Sequence, residues 1–356
     1  MSHTDELTSK ERVFRAIRHE EIDRIPIFGN LNAAAPQLIG RKLNLEYFTD
    51  GEALAAGALA AWEQIGGDII AVGSPSLSNA LGADLIWPDN DWPTFNKPVI
   101  TSHADADRLQ ALAPDQDKFL QASLQAIRIV KQKVGDRVPI SSGGGCIFNA
   151  VADLIGTERL LLSTRRDPEL VHKVARVVTE TAITHGKLAV EAGADLLGIG
   201  GAVSGPACMS PKTYVEIALP YLTEQTRAYH EAGAFVSHHP CGEEYPYVDI
   251  LDRTGTDILH FTELFDLAIA QKIFVGRIAV SGGIDPSNIL FLGTPEEVEE
   301  HIKRVIESLP YQTGAILQPG CGLSPNFPLE NLKAMIEAAR KYGSYAGWQA
   351  HKVKCA

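Results

Sequence analysis

Eight short apolar runs, each followed by sequence of helical character, constrain this 356-residue chain more than any other feature. They lie at residues 24–29, 68–72, 138–142, 195–200, 234–236, 257–261, 277–281 and 314–317. Strands that alternate with helices pair in parallel, because each helix supplies the crossover that a parallel pair needs. Eight such units close on themselves, so the expectation is an α/β fold of the (β/α)8 TIM-barrel type. One domain over residues 1–356 accommodates it.

Ahead of the first run, Thr8-Ser9-Lys10-Glu11 has the form of a capping box, and Val13, Phe14 and Ile17 recur at helical spacing. That predicts an N-terminal helical extension to about residue 19. Residues 73–113 follow the second run and are irregular, with prolines at 75, 88, 93 and 98 and tryptophans at 87 and 92. A loop of that length in a compact domain carries function or small elements of its own; here it reads as a lid or cap over the site. Helical sequence is expected at 53–64, 119–134, 149–163 and 167–191, from Pro211 to Gly233, at 294–309, and from Pro328 to Gly343.

In a barrel of this kind, residues at the C-terminal ends of the strands share one rim, however far apart they stand in sequence. Ser237-His238-His239-Pro240-Cys241-Gly242 follows the fifth run, Glu263 the sixth, and Cys321, within Gln318-Pro319-Gly320-Cys321-Gly322, the eighth. One imidazole and two thiolates form a soft donor set suited to Zn²⁺, and a fourth position left open makes such a site catalytic rather than structural. His-x-Cys alone is weak evidence, since buried cysteines and core histidines are common. Cys321 at the same rim is what strengthens it.

Glu263 reads equally as a fourth ligand or as a rim carboxylate paired with a neighbour. Strand alternation turns His238 away from His239, so His238 and His260 are expected to support or pack. Cys146 and Cys208 are expected to be buried, inert thiols, and Cys355 in the terminal tail to be incidental. Gly200, Gly201, Gly282, Gly283 and Asn30 are candidate contacts for a cofactor or substrate at the rim, although tight strand-to-helix turns explain the glycines equally well. None of the glycine clusters sits in the strand, Gly-x-Gly-x-x-Gly, helix context of dinucleotide binding.

The balance of 32 basic against 44 acidic residues, a formal charge of -12, argues against a nucleic-acid or anionic-membrane partner. No apolar run approaches the roughly 20 residues needed to span a bilayer, and residues 1–6 lack a signal layout. Five widely spaced cysteines do not form a disulfide framework. The expectation is a cytoplasmic protein whose thiols stay reduced.

From Lys10-Glu11-Arg12-Val13 through Asp153-Leu154-Ile155-Gly156-Thr157-Glu158 and Leu219-Pro220-Tyr221 to Pro319-Gly320-Cys321-Gly322, nearly the whole chain resembles the uroporphyrinogen decarboxylase superfamily. Within it, His239-x-Cys241 with Cys321 looks like the zinc signature of the methylcobamide:coenzyme M methyltransferases, and Glu263 matches the glutamate ligand of that branch. The resemblance implies transfer of a methyl group from a methylated corrinoid (methylcobamide) to a thiol such as coenzyme M. A metal-bound thiol is deprotonated outright, which fits that role.

The chain has no Asp-x-His-x-x-Gly stretch of the corrinoid-module kind, so the methylcorrinoid is expected on a partner protein docking over the barrel mouth. Alternatives are tetrahydrofolate as acceptor, metal-free decarboxylation of a porphyrin-like acid, and a non-catalytic metal-binding docking protein. Two departures bear on them. Gly200-Gly201 stands where the methyltransferase branch commonly has an aspartate. No arginine follows the first run before Arg41, which leaves the propionates of a porphyrinogen unpaired and disfavours decarboxylation.

Overall fold

The computed structural model describes residues 5–73, 76–344 and 348; Cys355 lies outside the described residues. Its central sheet is parallel throughout. The strands are β1 (Ile70–Ala71), β4 (Ile140–Gly143), β5 (Leu196–Gly200), β6 (Phe235–His239), β7 (Ile258–His260), β8 (Ala279–Ile284) and β9 (Ala315–Pro319), paired in that order. Between β1 and β4 the chain makes a separate antiparallel hairpin, β2 (Asp84–Ile86) and β3 (Thr94–Lys97). This is the expected TIM-barrel-like α/β fold, with the hairpin inside the region read as a cap.

One expected strand is reduced to a bridge. In the run at residues 24–29, Pro26 has no N–H to donate and Asn30 turns into the left-handed region at φ 50°. Toward the barrel sheet Ile27 pairs with Leu317, and Arg24 makes a separate antiparallel bridge to Ser344; the Ile27 pairing runs through Phe28 N–H to the Leu317 carbonyl (2.8 Å) and Leu317 N–H to the Pro26 carbonyl (2.9 Å). On the other side, the Asp68 N–H donates to the Ile27 carbonyl at 2.8 Å. The circle closes through these contacts rather than through a full eighth strand.

Other boundaries also move. The N-terminal helix ends at Ile17. The expected helix at 149–163 is split at Gly156 into Ile147–Ile155 and Thr157–Arg166. Pro220 lacks the N–H that would continue the α-helical ladder, and the helix from Pro211 accordingly carries a π-helical segment, Tyr214–Ala218, before Leu219–Ala232. β6 extends through both histidines to His239, and β8 through Gly282 and Gly283 to Ile284, each three residues past the expected end.

The two ends of the barrel differ. Helix Ser9–Ile17 has the predicted capping box and plugs the N-terminal end, its Val13 and Ile17 packing with Ile69, Leu196, Ile258, Ala279 and Ile316. Beneath that plug is a buried ion network. Asp68 accepts from both Arg24 NH groups (2.7 and 2.8 Å), from Arg12 (2.8 Å), from the Ser9 hydroxyl and from the Ile27 N–H. Arg12 also forks onto Asp23, and Arg24 onto Asp5. The candidate site lies at the other end, where the strands reach their C-termini.

Candidate metal centre

β6 delivers His239 and, two residues later, Cys241; the turn after β9 delivers Cys321. One ligand atom from each of the three lies within 4.8 Å of the others, the only such group of acid, thiol or imidazole side chains among the described residues. The predicted triad is therefore assembled.

The imidazole is fixed from behind. His239 Nδ1 donates to the His260 carbonyl at 3.0 Å, which leaves Nε2 as the lone-pair nitrogen. That Nε2 is buried, finds no oxygen or nitrogen partner and faces the thiols. A backbone acceptor on the far nitrogen with a free inner nitrogen is the arrangement by which proteins orient a metal-binding histidine. His260 extends the chain of support: its ring stacks on His239 at 4.3 Å between centroids, and its Nε2 donates to the Pro319 carbonyl at 2.9 Å. It thus ties β6 to β9 across the site, the supporting role expected of it. His238 points to the outer face, fully buried and stacked on Tyr214.

The two thiols divide their protons unequally. Hydrogen bonds from Cys241 and then from His239 hold the Cys321 thiol down to about 4. The same contact pushes Cys241 well above the ordinary thiol range, helped by burial and by the carboxylates of Glu244 and Glu263. Burial works against charging His239, but the Cys321 sulfur and the His260 carbonyl outweigh it and raise the imidazole. Burial drives His260 well below its usual value and His238 down to about 3, so both stay neutral.

Glu263 is exposed and stands outside the 4.8 Å cluster. Its carboxylate packs against Gly320, where a Cβ would lie 2.5 Å from Glu263 Oε2 and 2.5 Å from its backbone nitrogen. Only glycine fits before Cys321. The other glycines singled out in the sequence are held by close packing, Gly200 and Gly282 against backbone and Gly201 and Gly283 against side chains. A Cβ on Gly200 would lie 2.5 Å from the His239 carbonyl oxygen, one on Gly201 2.7 Å from Asn149 Oδ1, and one on Gly282 2.4 Å from the Phe261 carbonyl oxygen. For Gly283 the nearest atoms belong to Leu267 and Val305, at 3.0 Å. Asn30 is half-buried in the turn after the closing bridge. Cys146 and Cys208 are half-buried as residues, but burial pushes the Cys146 thiol up to about 11, so it is inert as expected.

Glu244 is the residue the sequence reading missed. It is fully buried and accepts from the Thr262 N–H (2.7 Å) and hydroxyl (3.0 Å), joining the loop that carries Cys241 to the one that carries Glu263. Burial raises its carboxyl, against the pull of those hydrogen bonds. Two consecutive glutamates in a turn look solvated in sequence; an acid three residues from a thiol ligand was the available signal. Glu244→Ala will weaken metal binding about 10–100-fold, the usual effect of losing an outer support. Competition against a chromophoric chelator measures it, and an unchanged affinity contradicts the role.

A family model described as uroporphyrinogen decarboxylase (URO-D) matches residues 8–342 of the chain. The chain belongs to the uroporphyrinogen decarboxylase family. Within reach of this family, the chain is 27% identical over 346 residues to the methylcobamide:CoM methyltransferase MtaA of Methanosarcina barkeri, covering 95% of this chain and 99% of that one. It is 28% identical over 257 residues to the uroporphyrinogen decarboxylase of Chlorobium limicola, covering 68% and 71% of the two chains. Among solved structures, a methyltransferase from Methanosarcina mazei superposes with a TM-score of 0.84 at 24% identity, over 95% of this chain and 99% of that one. That superposition supports the barrel assignment for this family member.

Proposed function

We propose that the protein is a zinc-dependent methyltransferase, which moves a methyl group from a methylated corrinoid carried by a separate protein to a small thiol. The observation that carries this reading is the buried His239 Nε2, which meets no oxygen or nitrogen partner and faces Cys241 and Cys321 within 4.8 Å. The donor set of one nitrogen and two sulfurs fits Zn²⁺, with His239, Cys241 and Cys321 as ligands and Glu263, which lies outside that cluster, as the candidate for the fourth position. When bound, the metal holds an acceptor sulfur as thiolate at neutral pH.

The chain's own residues do the remaining work. His260 keeps the His239 ring in one tautomer, and Glu244 holds the Cys241 loop against the Glu263 loop. In the reaction the cobalt–carbon bond breaks with both electrons left on cobalt, the sulfur–carbon bond forms, and the thiol proton goes to solvent. The similarity to methylcobamide:CoM methyltransferases supports the donor. Decarboxylation is less well supported, because Arg41 stands on the surface, 3.5 Å from Asp50.

Mixing the zinc-loaded protein with methylcobalamin and thiols, and following loss of the cobalt–carbon absorbance, tests the reading; no transfer to any thiol defeats it. The protons give a second test. Cys241 is raised and keeps its proton at neutral pH, whereas Cys321 is already ionised. Zinc uptake at pH 7 will therefore release about one proton from Cys241, plus the fraction His239 carries, and affinity will fall as pH falls. Calorimetry in buffers of different ionisation enthalpy counts them, and a value near zero contradicts the ligand set.

A further inference from the structure

Beside the metal centre is a cavity of about 270 Å³ that the sequence did not announce. Its floor is the open inner face of β4 and β5: a Cβ added to Gly143 or Gly198 would meet nothing within 4 Å. Gly143 pairs with Gly198, and Gly198 with Ser237, two residues before His239. At about 4.8 Å between strands and 3.3 Å per residue, the Cα of Gly198 lies roughly 8 Å and that of Gly143 roughly 12 Å from the Cα of His239. Its roof is the cap, through Leu77, Leu85 and Pro93. The Trp92 indole N–H donates to the Leu323 carbonyl, tying that cap to the loop after Cys321.

Among the described residues no lysine or arginine lines this cavity. The ionisable groups that do line it are pushed towards their uncharged forms. Burial lifts the Cys146 thiol to about 11, lifts the Asp153 carboxyl against the 2.6 Å hydrogen bond from Ser78, and lowers the His185 imidazole against the pull of Asp117. The charged groups acting most strongly on the thiols of the triad are one another, His239 and two carboxylates. Helix Ile147–Ile155 turns its N-terminus, without a side-chain cap, toward this wall. A helix terminus supplies only a fraction of a positive charge, and Asp153 stands on the same helix. Removing an anion from water demands a full, hydrogen-bonded partner.

Resting on the thiol-acceptor reading above, we propose that this cavity receives the tail of the acceptor and selects a tail without negative charge, such as a hydroxyl-bearing or alkyl thiol. The sulfonate of coenzyme M, the acceptor named for the Methanosarcina relatives, is then a poor fit here. Among the described residues the cavity offers it no cation.

The test compares acceptors that share a thiol and differ in the tail: 2-mercaptoethanol, propane-1-thiol and 2-mercaptoethanesulfonate, with methylcobalamin as donor and the zinc-loaded protein. The expected kcat/KM for either neutral thiol exceeds that for the sulfonate at least tenfold. Binding of the S-methyl products, by calorimetry, should follow the same order whether or not transfer is observed. Leu85→Lys, which adds a cation to the half-buried roof, should raise sulfonate binding at least tenfold; Asp153→Asn should raise it less. Equal or tighter binding of the sulfonate product by the unaltered protein overturns the inference, as does a Leu85→Lys protein that folds and shows no shift. Failure of every thiol to accept methyl, with the binding order intact, sinks the methyltransferase reading and leaves the cavity's selectivity standing.

Discussion

On the proposed zinc-thiolate mechanism, replacing Cys321 by serine will yield a folded protein that holds no zinc, and methyl transfer to thiols will fall at least a thousandfold, about 4 kcal/mol of added barrier. A serine hydroxyl stays protonated and is a hard, neutral donor, so it replaces neither the charge nor the softness of the thiolate. The loss goes beyond one ligand. Cys321 is the group that lowers the cost of charging His239 and shares a proton with Cys241, so removing it disorganises the other two. Cys208→Ser is the matched control, because Cys208 is also half-buried but lies outside the triad. Its zinc content and activity should be unchanged. Metal analysis with circular dichroism separates loss of the ion from loss of the fold.

The largest stability effect is expected at the opposite end of the barrel. Asp68 has no exposed side-chain surface and faces two guanidinium groups with 0% and 4% exposure. Asp68→Ala leaves both cations buried without it and removes the acceptor that anchors the Ile27 N–H at the barrel's closing bridge. Breaking a buried pair in this way costs about 3–5 kcal/mol, which denaturant titration will read. The pH dependence has a definite sign. Asp23 is lowered to about 2 against burial, chiefly by Arg12, and Asp68 is also lowered, chiefly by Arg24 against a larger burial penalty. Both pKa values are depressed, so the stability these groups contribute is fully present above the unfolded carboxylate value of about 3.9. The Asp23 part is lost as pH falls towards about 2, and the Asp68 part is lost as pH falls below the unfolded value. Unaltered protein should lose stability across that window, and Asp68→Ala should lose less.

Much of the site was legible because strand periodicity and ligand chemistry act at short range. The alternation that turns His239 one way and His238 the other is a property of any strand, and the structure follows it: one ring meets the thiols and the other packs on Tyr214. The shared rim of β6 and β9 follows from counting strands, which is why residues 80 positions apart could be paired. What sequence could not supply was context. Pro26 and Asn30 signal a weakened strand, but that the barrel still closes there depends on Leu317 and Asp68 contributing hydrogen bonds from both sides. Glu244 looks like a surface acid until Thr262 is found against it. The cavity beside β4 and β5 is made by absent side chains, and a run of glycines reads the same whether it serves a turn or a substrate.

X-ray absorption at the zinc edge, with and without a neutral thiol, tests the central claim most directly. The resting protein should give one zinc per chain with two sulfurs at about 2.3 Å and nitrogen or oxygen donors for the rest; added thiol should bring a third sulfur to the metal. A zinc shell that keeps two sulfurs in saturating thiol, or a protein that carries no zinc after purification from zinc-replete cells, contradicts the account.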